Sequence, residues 1–282
     1  MIKILIPVDF SDCSIKAVNF AAQLSKYVPA HLDLLNVQEG TGSLYTDYVG
    51  LNKEFNQSLI AEAKKKLEHL QAQLGLSQGV VVETHLVTGE VRETIIAEAA
   101  KLGSHLILMG TSGASGVREI LIGSQTASII GASKIPVLAI PNEYEWKKPE
   151  KILLTTNHFE KDAAILDTVF QLANTLNAKV EAAVFTSESS DDAATIITNT
   201  HEISAYERFL RDEYKQSNLV AAHLAGKNLE DTLSNYIRQN GIDMLVMITY
   251  KRSFLKRIFN PSQTRRMSYH VKIPLLAIPG NK

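Results

Sequence analysis

Short apolar runs alternate along this chain with longer stretches in which apolar residues recur at helical spacing. "IKILIPV" and "HLDLLNV" read as strands, and "SIKAVNFAAQLSKY" between them sets Ile15, Val18 and Ala22 along one helical face. "EFNQSLIAEAKKKLEHLQAQLG" follows as a long amphipathic helix with Gly75 as its expected stop. Then come the strand "GVVVETHLV", the helix "VRETIIAEAAKL", the strand "HLILMG", a helix opening at Ser124 and the strand "PVLAIP". The order is βαβαβαβαβ. Strict alternation predicts a parallel sheet with helices on both faces, because each parallel connection needs a crossover, and the nearly all-apolar strands fit burial on both sides.

The pattern occurs twice. "KILIPVDFS" at Lys3 is answered by "KILLTTNHF" at Lys151, an offset of 148. "ETHLVTGEVRETI" is answered by "VAAHLAGKNLEDTL", with His85 over His223 and Thr94 over Thr232 at an offset of 138. The same offset carries "GSQT" at Gly123 onto "PSQT" at Pro261 and "IPVLAIP" onto "IPLLAIP". A duplication predicts domains at 1–142 and 151–282, joined by a polar linker at 143–150. The expected architecture is two tandem doubly wound, five-stranded parallel sheets.

Composition narrows the function classes. The chain has 282 residues and a formal net charge of -1, so no long-range field gathers nucleic acid or anionic lipid. A single cysteine, Cys13, excludes an internal disulfide and fits a reducing compartment. No apolar run reaches the length of a membrane span, and the N-terminal run is too short for a signal sequence, so a cytoplasmic location is expected. There is no G-x4-G-K-[ST] phosphate loop and no G-x-S-x-G elbow. His105, His158 and His270 show no metal-ligand spacing, and the recurring His85 and His223 are expected in sheet packing. No catalytic residue and no metal ligand is assigned.

In such a sheet, ligands bind beyond the carboxyl ends of the strands, where the strand order reverses. Asp9 ends the first strand and Gly110 ends the fourth. From Gly110 the chain reads "GTSGASGVREILIGSQT", placing Gly110, Gly113 and Gly123 before Ser124. Glycines there let a phosphate approach the backbone at a helix N-terminus, where free N–H groups and the positive end of the dipole favour an anion. Turn formation and helix capping are the plainer uses of the same residues.

With "PVDFS" before it and "IPVLAIP" after it, this G-x2-G-x9-G-[ST] stretch resembles the nucleotide-binding signature of the universal stress proteins. The resemblance extends over both halves and implies a tandem member with a Rossmann-like fold. It implies ATP as ligand, with Pro7 and Asp9 at the nucleoside, Val37 against adenine, and Met109 and Gly110 lining the nucleotide. Gly113 would give room for the phosphates, and Gly123, Ser124 and Gln125 would bind them. A divalent metal such as Mg is expected to accompany the triphosphate. The resemblance also implies that the last strands of the two halves pair as an intramolecular, pseudo-two-fold dimer, with a homodimer as a further option.

The second copy departs from the signature. Gly110, Gly113, Gly123 and Asp9 become Ile248, Lys251, Pro261 and Asn157, and only Ser124 keeps its type as Ser262. No nucleotide binding of this kind is expected in 151–282. The acid-free run from Tyr250 to Lys272 is basic, which reads as a solvated face or an anion-binding patch; nucleic acid is not an expected partner. The implied function is an ATP-binding stress or signalling module that acts on an unidentified protein partner. The alternatives are a slow ATPase or phosphotransferase, and an interaction protein with a vestigial site.

Overall fold

The computed structural model describes residues 1–39, 49–78, 80–111, 124–189, 191–250 and 272–280. The chain divides between Asn142 and Glu143 into two compact units. Unit 1 carries β1 (Ile2–Pro7), α1 (Asp12–Leu24), β2 (Ala30–Gln38), α2 (Val49–Gln78), β3 (Val81–Thr88), α3 (Val91–Lys101), β4 (Leu106–Gly110), α4 (Ser124–Ala132) and β5 (Val137–Ile140). Its strands lie parallel in the order β3-β2-β1-β4-β5. The expected alternation is therefore realised, and the order reverses between β1 and β4.

Burial on both faces explains the strand composition. Ile4, Leu5 and Ile6 of β1, Leu32, Leu34 and Leu35 of β2, and Ile107 and Leu108 of β4 are fully buried. Helix α1 begins where the Ser11 side chain accepts a hydrogen bond from the Ser14 N–H, and it buries Cys13, Ala17, Val18, Phe20, Ala21 and Leu24. Of the residues expected on that face, Val18 and Ala22 are buried and Ile15 is half-buried. Helix α2 runs past Gly75 to Gln78. Gly75 has no positive φ and its Cβ position faces open space, so it acts as an ordinary helical residue at a cost of about 1 kcal/mol relative to alanine.

Unit 2 repeats the plan with β6 (Lys151–Thr156), α5 (Ala163–Leu176), β7 (Lys179–Ser187), α6 (Ala193–Tyr214), β8 (Val220–Gly226), α7 (Leu229–Asn240), β9 (Met244–Thr249) and β10 (Leu275–Pro279). Its parallel order is β10-β9-β6-β7-β8, with the reversal between β6 and β9. Asp162 caps α5, and Asn177 and Gly241 end α5 and α7 in the left-handed region. Among the described residues no helix is long and apolar enough to cross a membrane.

The strand ladders correct one part of the repeat. In unit 1 Asp33 pairs with Glu83 and Leu35 with His85; in unit 2 Glu181 pairs with Val220 and Val184 with His223. With β2 and β7 matched at 148, Glu83 corresponds to Val220 and His85 to Ala222, an offset of 137. His223 thus stands one position further along its strand, and in a period of two that turns it to the other face. The extra residue of unit 2 lies in the following turn. Gly89 and Gly226 both bring their backbone onto a threonine of the next helix, where an added Cβ would meet Thr94 Oγ1 at 2.4 Å or Thr232 Oγ1 at 2.2 Å. Five steps separate the first pair and six the second.

Candidate functional site

The carboxyl end of unit 1 is assembled from four short segments. Pro7 closes β1 opposite Leu35, the Val8 N–H donates to Leu35 O at 2.8 Å, and half-buried Val37 lies two residues further along β2. The buried Asn36 ties the two strand ends together. Its Nδ2 donates to Val8 O at 2.6 Å, and its Oδ1 accepts from Gln38 Nε2 at 2.5 Å. Asn36 was not singled out above, although a lone asparagine inside "LDLLNV" is the kind of polar interruption that marks such a tie.

Asp9 lies two residues beyond the end of β1 rather than at it, is exposed, and folds the turn that follows. Its Oδ1 accepts from the Ser11 N–H at 3.0 Å and from Ser11 Oγ at 2.5 Å, while Phe10 between them sits at φ 62°. A bulky residue in the left-handed region costs roughly 1 kcal/mol, and such costs gather at functional sites. Lys66 of α2 places its Nζ 5.4 Å from the centre of the Phe10 ring. The carboxylate thus has a structural use and is still open to solvent.

At the end of β4, Met109 is buried and Gly110 is under close approach from α1. A Cβ on Gly110 would lie 2.5 Å from Cys13 Sγ and 2.8 Å from Cys13 O. The glycine lets the first turn of α1 cross β4, a packing requirement that holds with or without a ligand. Thr126 Oγ1 donates to Gly110 O at 2.9 Å and fixes the start of α4 against this strand end. Thr126 is buried and was also missed, although "GSQT" and "PSQT" share it. Ser124 is the first residue of α4, as expected of the helix opening there, and both Ser124 and Gln125 are exposed. Backbone N–H groups in this first turn have no partner within the helix. Gly113 and Gly123 lie outside the described residues.

The structure therefore brings Pro7, Asp9, Val37, Met109 and Gly110 to one end of one sheet, at the reversal between β1 and β4, with Thr126 tying α4 to the same end. The arrangement offers one exposed carboxylate, which only accepts hydrogen bonds and so suits a hydroxyl or an amine. It also offers a helix start suited to an anion.

Unit 2 fills the corresponding place. The His158 ring packs on the Tyr250 ring with centroids 4.9 Å apart and a tilt of 55°. His158 Nδ1 is 2.9 Å from Asn157 Oδ1, and its Nε2 is 3.3 Å from Oε2 of the buried Glu160. Glu160 Oε1 accepts the Lys161 and Asp162 N–H groups at 2.8 and 2.7 Å, and Thr156 Oγ1 donates to His158 O. Burial, and then the Glu160 charge, push the Tyr206 phenol above its ordinary value, so it is neutral. Tyr250 also packs against the end of β10, where a Cβ on Gly280 would fall 2.3 Å from its ring. Ile248 stands buried where unit 1 has Gly110; Lys251, Pro261 and Ser262, like the rest of the basic run up to 271, lie outside the described residues.

The two recurring histidines are not equivalent in packing. His85 Nε2 lies 2.8 Å from Asp33 Oδ1. His223 bridges Thr186 Oγ1 at 2.8 Å and Thr200 Oγ1 at 2.9 Å, and burial holds its pKa below the usual histidine value. Both contacts are polar, where sheet packing alone was expected.

Residues 1–141 and 149–279 each match the family model described as "Universal stress protein family". A universal stress protein of Bacillus subtilis, YxiE, is 32% identical over 144 residues, covering 49% of this chain and 97% of that protein. A universal stress protein of Methanocaldococcus jannaschii is 32% identical over 152 residues, covering 49% of this chain and 93% of its own length. The crystal structure of a universal stress protein from Archaeoglobus fulgidus superposes with a TM-score of 0.67, covering 98% of both chains at 16% identity, a likeness of fold.

Proposed function

The chain belongs to the universal stress protein family, and from that premise we propose that residues 1–142 form its nucleotide-binding domain and residues 151–282 a domain of the same fold without that activity. The ligand is an adenine nucleotide, ATP, held across the carboxyl ends of β1 and β4. Asp9 accepts from the nucleoside, Val37 lies against the base, and Pro7, Met109 and Gly110 line the floor. Gly113, Gly123, Ser124 and Gln125 face the phosphates with a magnesium ion. The protein acts as a binding module whose surface changes with nucleotide occupancy.

One observation carries this reading: equivalent reversal points are treated oppositely in the two units. Unit 1 keeps an exposed carboxylate and an exposed helix start there. In unit 2 the carboxylate is replaced by Asn157 and a histidine–tyrosine pair occupies the strand end.

Equilibrium dialysis against ATP tests it. Asp9→Asn preserves an acceptor for the Ser11 N–H while removing the charge, and is expected to weaken binding about tenfold or more, as loss of a charge-assisted hydrogen bond does. Asn157→Asp is expected to leave binding unchanged. Unchanged binding in Asp9→Asn, or loss in Asn157→Asp, overturns the reading. Recovery of intact ATP from the bound fraction supports a module, and release of phosphate in a single turnover supports the enzyme alternative.

A further inference from the structure

The amino-terminal half of β2 holds a polar cluster remote from that end. His31 and Asp33 share one face of β2, and Glu83 and His85 share the same face of β3, since Asp33 pairs with Glu83 and Leu35 with His85. His31 Nε2 lies 3.4 Å from Asp33 Oδ1 and 3.7 Å from Glu83 Oε1. The ligating atoms of His31, Asp33 and Glu83 all fall within 4.8 Å of one another. His85 Nε2 approaches Asp33 Oδ1 at 2.8 Å. Asp33 is 2% exposed, whereas Glu83 is exposed and His31 and His85 are half-buried.

We propose that His31, Asp33 and Glu83, with His85 positioning Asp33, form a binding site for a divalent transition metal of the zinc type.

Three features carry the assignment. First, the spacing fits: bonds of about 2.0–2.1 Å to a tetrahedral ion set neighbouring donors about 3.3 Å apart, close to the two distances made by His31. Second, the donor chemistry selects the ion. Imidazole with carboxylates suits zinc, cobalt or nickel, whereas magnesium and calcium prefer oxygen alone. A ligating carboxylate held by a second imidazole is the outer-shell arrangement that orients metal ligands.

Third, unit 2 shows how the carboxylate at the same fold position is balanced without imidazoles or a second carboxylate. By strand register His31, Asp33, Glu83 and His85 correspond to Lys179, Glu181, Val220 and Ala222. Glu181 there is met by Lys151 Nζ at 3.7 Å and accepts from Tyr236 Oη at 2.9 Å. A buried carboxylate needs a cation or donors. Unit 2 supplies an ammonium and a phenol, while unit 1 surrounds Asp33 with imidazoles and a second carboxylate, whose charge is balanced by a dication.

His31 lies about 20 Å and Asp33 about 13 Å along β2 from Val37, counting six and four residues at about 3.3 Å each, so the ion they hold is not the counter-ion of a triphosphate at that strand end. Its place is structural. Strand β3 is the outer strand of the unit 1 order, and the ion would clip it to β2. The sequence shows no motif because the three ligands and His85 form two alternate-residue pairs about fifty positions apart, joined only by the β2–β3 register.

The full chain, stripped by a chelator and titrated with Zn2+ and separately with Co2+, tests the proposal. Expected are one ion per chain, a visible Co2+ absorption band of a tetrahedral nitrogen–oxygen site, and an unfolding midpoint that rises with metal concentration. His31→Gln and Glu83→Gln, at half-buried and exposed positions that spare the fold, are each expected to weaken binding by more than about 100-fold, and His85→Gln by about 10- to 100-fold. Asp9→Asn should leave metal affinity unchanged, which separates this site from the nucleotide reading. Failure to bind Zn2+ at micromolar concentration, or binding of equal strength in His31→Gln and Glu83→Gln, overturns it.

Discussion

The two strand-to-helix turns at the reversal points differ by two residues, and the difference follows from one side chain. In unit 1 the chain passes from Pro7 to Asp12 through residues 8–11, and the first turn of α1 lies directly on Gly110. In unit 2 it passes from Thr156 to Ala163 through residues 157–162, and β9 carries the buried Ile248 in place of the glycine. A side chain at that strand position and a helix start pressed onto it exclude each other. The lengthened turn of unit 2 brings His158 and Glu160 to the strand end, where they and Tyr250 occupy the space. The glycine of β4 is therefore first a packing residue, and the short turn it permits keeps the start of α1 on the strand.

Substitutions that exchange the two solutions test this coupling. The largest effect is expected for Ile248→Gly, which empties a buried site and loosens a strand; a loss of about 4 kcal/mol should appear in guanidinium unfolding of unit 2. Gly110→Ala should cost about 2 kcal/mol by overpacking. Adding Cys13→Ala should recover only part of that loss, because the Cβ would still meet Cys13 O at 2.8 Å. Full recovery would show that the sulfur alone sets the constraint.

Thr126→Val removes the donor to Gly110 O and should cost about 1 kcal/mol, read as a lower unfolding midpoint for unit 1. The smallest effect concerns His223. Burial lowers its pKa in the folded state, so the fold favours the neutral ring. That contribution is complete above the ordinary value of 6.5 and is lost as pH falls below it through the lowered folded value. Stability of the wild type should fall between pH 7 and pH 5 more steeply than that of His223→Gln, and equal slopes would contradict the assignment.

Much of this architecture is legible in the chain because apolar runs such as "KILIP" and "LILM" have no stable place except between two helical layers. The reversal between β1 and β4 does not follow from the alternation alone, which also fits an order that reverses between the first and third strands. What escaped reading depends on contacts across strands. Asn36 and Thr126 act on carbonyls brought near only by the finished sheet. Phe10 adopts a left-handed turn that its side chain disfavours, with Asp9 holding it. The matching of His85 with His223 failed because one residue inserted after β8 leaves helix and strand at different offsets, and a one-step slip exchanges the faces of a sheet.

The central claim is that one unit of two retains the nucleotide site. Native mass spectrometry of the full chain with ATP counts it directly. The account predicts one ATP per chain, lost in Gly123→Pro, which gives unit 1 the residue of unit 2, and retained in Asn157→Asp. Two nucleotides per chain, or one that survives Gly123→Pro, would contradict it.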